Sequence, residues 1–201
     1  MNKSSVNRYF IIKTIGLAII ILMTIVPNIG YIYTPWLKIT LIHIPVILVS
    51  MLCGPKVGIF MGLAFGFSSL LSNTLNPSVL SFIFTPIYKI GDIGGGIYSI
   101  IICFLPRIIL GFLSGIFVTN SFDKKRVFIV SALLTLIHTI LVMVGIYIFY
   151  GNEYIQVMKI ASNGLIGALL TIVLINGLTE AIVSGILMAS IYLPLKQYLN
   201  K

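Results

Sequence analysis

The positions of the charges constrain this chain more than any other feature. It has 13 Lys and Arg but only 4 Asp and Glu in 201 residues, and 59% of it is hydrophobic. Charged residues make up 8% of the chain, against about a quarter in soluble domains. The basic residues flank long apolar runs instead of clustering on one face, which is the pattern of the positive-inside rule and not of a nucleic-acid surface. A mean hydropathy of +1.14 excludes a water-soluble globule. The length suits about six spans of about 20 residues each. The expectation is an all-α integral membrane protein, a six-helix transmembrane bundle forming a single membrane domain over residues 1–201.

Six spans emerge: Tyr9 to Val26, Ile39 to Cys53, Val57 to Leu71, Ile97 to Val118, Val127 to Tyr150 and Gly177 to Leu195. Lys3, Arg8 and Lys13 precede the apolar run Ile15 to Val26 as in a signal peptide, but Pro27-Asn28-Ile29-Gly30 offers no small-x-small cleavage site. The run therefore reads as an uncleaved first helix. The stretch Ile160 to Leu195 is too long for one span and tight for two. Breaking it at Asn176-Gly177 leaves Ile160 to Ile175 as an outer loop, partly helical and folded over the bundle as a re-entrant or packed segment. With the N-terminus inside, Lys3, Arg8, Lys13, Lys56, Lys124, Lys125, Arg126, Lys196 and Lys201 fall on the inner face, and Lys38, Lys89 and Lys159 on the outer. Both termini are then cytoplasmic. The inner turns are short. The long outer loops, Pro27–Lys38, Ser72–Gly96 and Gly151–Asn176, are the expected seat of function.

Small residues recur four apart: Gly58, Gly62 and Gly66; Gly111 and Gly115; Ala181, Gly185 and Ala189. Such faces let helices approach closely in lipid, either inside the bundle or against a partner membrane subunit, for which Gly62 is a candidate. The two cysteines, Cys53 and Cys103, lie in apolar runs and read as buried thiols without metal-type spacing. Neither a Walker sequence nor HExxH nor a pair of carboxylates for a metal is present. Gly94-Gly95-Gly96 lacks the Lys-Ser/Thr of a phosphate loop and reads as a flexible loop. These points argue against an enzyme, a cofactor and a bound metal.

What remains is a small set of ionisable groups within the spans: His43, Arg107, His138 and Glu180. Charge is costly in lipid, so each is a functional candidate. Glu180 lies about one turn inside the outer end of the sixth helix, and His43 sits at similar depth in the second. Asn73 and Asn76 close the outer end of the third, while Tyr31 and Trp36 occupy the first outer loop. Donors, acceptors and aromatic faces near one depth suit a pocket for a small polar molecule. His43, Asn73, Asn76 and Glu180 are the first choices for polar contacts, with Tyr31 and Trp36 as lids. Arg107, near the middle of the fourth helix, reads either as a structural partner of Glu180 or of backbone carbonyls, or as a counter-ion for an anionic substrate.

Ile39-Thr-Leu-Ile-His-Ile-Pro-Val-Ile, then Gly54-Pro55-Lys56-Val57-Gly58 and Gly62-Leu-Ala-Phe-Gly66, resemble the S components of energy-coupling factor (ECF) vitamin transporters. Leu105-Pro106-Arg107-Ile-Ile-Leu-Gly111 and Asn176-Gly177-Leu178-Thr179-Glu180-Ala181 fit the same pattern, and the text is most similar to the pantothenate-type members. The resemblance implies a substrate-binding subunit in the cell membrane. Its partners would be a transmembrane coupling protein and two cytoplasmic ATPases, and its pocket would open outward. It also implies an Ala-x-x-x-Ala contact for the coupling protein on the first helix, where this chain has Thr14 and Ala18. The rival reading is a non-transporting membrane scaffold or assembly protein. An ion-coupled carrier is disfavoured by the single membrane carboxylate and the lack of duplicated halves.

Overall fold

The computed structural model describes residues 3–26, 29–33, 38–117 and 123–200. Helix α1 (Lys3–Ile25) leads to a short antiparallel hairpin, β1 (Tyr31–Tyr33) and β2 (Lys38–Thr40). Then come α2 (His43–Cys53), α3 (Pro55–Leu75), a second hairpin, β3 (Lys89–Ile90) with β4 (Ile93–Gly94), and α4 (Ile97–Ile116). The remainder is α5 (Lys124–Met158), α6 (Leu165–Ile172) and α7 (Leu178–Asn200). Five of the described helical segments are long and apolar enough to cross a membrane, and α2, with 11 residues, is shorter. Apolar side chains such as Phe10, Leu22, Phe67 and Ile186 cover the outside, as lipid requires.

Local chemistry sets the helix ends. Gly54 turns the chain between α2 and α3 at φ 94°, a conformation natural to glycine, and Pro55 occupies the first position of α3, where its missing N–H costs nothing. Asp123 caps α5 by accepting from the Arg126 N–H at 2.8 Å, satisfying one of the orphan donors of the first turn. The dihedrals of α5 break at Tyr150 (φ −136°, ψ 21°). There the phenol meets Ser99 Oγ at 2.6 Å and accepts from the Gly96 N–H at 2.9 Å.

The glycine faces settle how α3 and α4 pair. Carbon atoms added at Gly58 and Gly111 would each fall on the other residue's carbonyl. At Gly115 an added carbon would fall on the Pro55 backbone, and at Gly66 it would lie 2.6 Å from the Phe104 ring. Gly62 belongs to the same seam, since a side chain there would strike the Arg107 carbonyl. Its assignment to partner docking is therefore corrected: the residue is buried between α3 and α4. Thr14 and Ala18, in contrast, are exposed on α1, the least buried of the five long segments.

The connections expected on the outer side also differ from expectation. No loop occupies residues 165–177. Asn176-Gly177 does not break the helix; a π turn over Val173–Gly177 joins α6 to α7. Ser162–Leu199 is therefore one apolar rod of 38 residues. An extra residue in a turn bends a helix without ending it, and no proline lies near to end it. The segment 76–96 folds as a compact cover. Ser81, Phe82 and Ile83 are all fully buried. Ser99 Oγ donates to the Phe82 carbonyl at 2.7 Å, and the Thr74 and Thr85 hydroxyls meet at 2.8 Å.

Candidate functional site

Between α3, α4, α5 and α7, at the end of the bundle carrying the two hairpins, lies a cavity. Ser69 and Asn73 come from α3, Arg107 from α4, His138, Thr139 and Tyr154 from α5, and Glu180 from α7. Tyr31, Thr40, Ser78, Leu80 and Phe84 add to the walls from the segments that carry the two hairpins and the cover between α3 and α4. Val142, Met143, Ile146 and Ile172 add apolar surface, and Asn176 a polar side chain. Tyr9, Lys13, Cys53, Gly54 and Gly115 gather around a groove at the other end of the helices.

Arg107 is positioned by the residue before it. Pro106 has no N–H, so the Ile102 carbonyl four residues earlier loses its helical donor. The Arg107 guanidinium donates to that carbonyl through Nη1 at 2.7 Å. This draws the side chain back towards the start of α4, the direction in which helical side chains already lean. The guanidinium carbon lies 5.5 Å from the Phe65 ring centre and 5.3 Å from that of Phe84, a cation held between two aromatic faces. Nη2 reaches Ser69 Oγ at 3.5 Å, and Nε has no partner. No ion pair to Arg107 occurs among the described residues. The guanidinium therefore keeps donors of the kind that pair with a carboxylate free on the cavity wall.

Glu180 sits 6% exposed in the first turn of α7. Its Oε1 accepts from the Thr40 N–H at 2.7 Å, so it ties the first hairpin to α7 across the cavity mouth. The structural alternative in which Glu180 and Arg107 form an ion pair is not what the side chains do. Tyr31 lines the cavity with its ring, but its hydroxyl meets Ser68 Oγ at 2.9 Å, and Thr24 donates to the same oxygen at 2.7 Å. Tyr31 is a fixed wall and not a lid; burial pushes its phenol well above the usual range. Trp36 lies outside the described residues.

Asn73 reaches the cavity while holding the cover: Nδ2 donates to the Ser69 carbonyl and Oδ1 accepts from Ser81 Oγ, both at 2.8 Å. Asn76 is exposed at the end of α3, off the cavity wall. His43, fully buried at the start of α2, is also off the wall. The site omits those two residues and gains His138, Thr139, Ser69 and Tyr154. His138 stood among the intramembrane ionisable groups; the signal that connects it to the cavity is its spacing on α5. Thr135, His138, Thr139, Val142, Met143 and Ile146 follow the helical period and are all buried, so the histidine shares the inward face.

A family model described as ECF transporter, substrate-specific component, matches residues 8–192 of this chain. The pantothenic acid transporter PanT of Lactococcus lactis subsp. cremoris is 33% identical over 155 residues, covering 77% of this chain and 76% of that protein.

Proposed function

The chain belongs to the substrate-specific components of ECF transporters, and on that premise we propose that it captures pantothenate from outside the cell in the cavity described above. It is a multi-pass membrane subunit for vitamin uptake, a transporter component and not a scaffold. The observation that carries the choice of vitamin is the match between Arg107 and the ligand's chemistry. Pantothenate combines one carboxylate with an amide and hydroxyls. The cavity offers one buried cation without an acidic partner, several hydroxyls, and apolar walls.

In this reading the carboxylate seats on the free donors of Arg107, Glu180 accepts from ligand hydroxyls near the mouth, and Tyr31 packs on the apolar part of the chain. The relative named for pantothenic acid supports the assignment. Transport takes its energy from a coupling protein and two cytoplasmic ATPases, with Thr14 and Ala18 on the exposed face of α1 as the contact. Six crossings are counted as α1, α2, α3, α4, α5 and the joined α6–α7 rod. The short α2 crosses because the cavity and the first hairpin take up the remaining thickness. An even count sets both termini on one side, and the bias of basic residues makes that side cytoplasmic.

Two measurements test this. Pantothenate at a hundred times its Kd should stabilise the purified protein by about 2.7 kcal/mol, read as a rise in Tm, while thiamine or biotin should leave it unchanged. Uptake into sealed vesicles should occur only when the coupling protein and ATPases are present. Stabilisation by an unrelated vitamin instead, or uptake by this chain alone, would remove the proposal. For the topology, a single cysteine at Asp123 should react with an impermeant maleimide only after the cells are permeabilised. Labelling of intact cells would invert the orientation.

A further inference from the structure

His138 lines the same cavity as Arg107. The imidazole is 3% exposed, lines the cavity, and has no hydrogen-bond partner on either ring nitrogen. A buried polar group left unsatisfied is costly and rare in a native protein. His43 is likewise unpartnered on both ring nitrogens but lies off the cavity; of the two, His138 is the one that borders space a ligand can fill. The rings of His138 and Phe65 lie 5.6 Å apart, and the Arg107 guanidinium carbon lies 5.5 Å from the same Phe65 ring centre. The two groups therefore flank one aromatic side chain and face the same cavity.

A neutral imidazole offers one N–H donor and one acceptor. A second carboxylate would leave the acceptor nitrogen unmatched, and a hydrocarbon would leave both. A secondary amide can meet whichever nitrogen faces it, with its carbonyl accepting from the imidazole N–H or its N–H donating to the acceptor nitrogen. Resting on the reading above, we propose that His138 is a specificity-determining residue that hydrogen-bonds to the ligand's amide while Arg107 holds the carboxylate. The pair then reads two different groups of one extended molecule, and the cavity selects an amide-bearing carboxylate over a simple carboxylate.

The test compares pantothenate with pantothenol, which keeps the amide and replaces the carboxylate by an alcohol. Both are titrated into detergent-purified parent, His138→Phe, His138→Asn and Arg107→Met proteins, and the Tm of each empty protein is recorded. Phe removes both unmatched nitrogens while keeping an apolar ring, so the empty His138→Phe protein should be at least as heat-stable as the parent. Its affinity for both ligands should fall about tenfold, leaving the pantothenate-to-pantothenol ratio unchanged. Asn keeps a donor and an acceptor and should recover part of that loss. Arg107→Met should instead collapse the ratio.

If the histidine merely fills the core, His138→Phe would raise Tm and leave both affinities as they were, which would overturn the assignment. A ratio that collapses in His138→Phe would also overturn it, by placing the carboxylate there. If His138→Phe does not fold, His138→Asn alone decides: binding as tight as the parent's overturns the proposal, and a weaker affinity with an unchanged ratio upholds it. Failure of the parent protein to bind pantothenate would remove the vitamin assignment, and this inference with it.

Discussion

Replacing Arg107 with Met is expected to weaken pantothenate binding by roughly a hundredfold. A hydrogen bond to a charged group contributes about 1.5–3 kcal/mol, and each 1.4 kcal/mol is a factor of about ten in affinity. The upper part of that range applies because the guanidinium is buried and held in advance, by the Ile102 carbonyl at 2.7 Å and by the rings of Phe65 and Phe84. The ligand therefore meets donors that need little reorganisation. Lys at this position should recover only part of the affinity. Its single ammonium cannot cap the carbonyl left free by Pro106 and also present a fork of donors to a carboxylate. Glu180→Gln should cost less, about tenfold, because the amide oxygen still accepts from the Thr40 N–H and keeps the hairpin in place. Isothermal titration of folded protein in detergent measures all three. Parent-like affinity in Arg107→Met would move the anion site elsewhere and leave the arginine a structural role.

Leu at Gly58 is expected to abolish the fold, with a cost of at least about 3 kcal/mol. The obstacle is backbone on both sides: an added carbon at Gly58 would fall on the Gly111 carbonyl, and the reverse holds at Gly111. Neither carbonyl can turn away, because each belongs to a helix. Separating α3 from α4 would also move Arg107, whose own carbonyl packs against Gly62. Loss of the pantothenate site should therefore accompany loss of Tm. Ala18→Leu provides the contrast. Ala18 is exposed on α1, so the isolated protein should keep its Tm and its affinity, while co-purification with the coupling protein should fall. Gly58→Leu with parent Tm would show that the seam opens without cost. Ala18→Leu with intact assembly would move the docking contact off this face of α1.

Much of the site was legible because lipid makes charge conspicuous. Arg107 and Glu180 stood out as ionisable groups inside apolar runs, and both line the cavity. Asn73 was legible from its depth in the third span, and Tyr31 was read as a lid from its place in the first outer loop. His43 and Asn76 shared that depth and lie off the wall, because depth along a helix does not set the direction in which a side chain points. His138 was visible as an ionisable group. Its tie to Arg107 runs through Phe65, which the sequence places 42 and 73 positions from the two of them.

The sequence by itself determined the solvent in which this protein folds and the helices it forms. Length, hydropathy and flanking charge act locally, and the bilayer demands that backbone groups be satisfied within each segment. It also determined that some pair of helices would approach closely, since a glycine every fourth residue has no other use in lipid. Only the tertiary structure decided which pair. Gly62 was open to a partner on sequence grounds and is closed against α4, because Gly58 and Gly111 lock that seam first. Tertiary structure likewise decided that residues 165–177 continue into α7 as helix, that Tyr31 is anchored through Ser68, and that Arg107 turns to Ile102 and the cavity instead of pairing with Glu180. Each of these depends on a neighbour distant in the chain, and hydropathy and charge pattern carry no record of such neighbours.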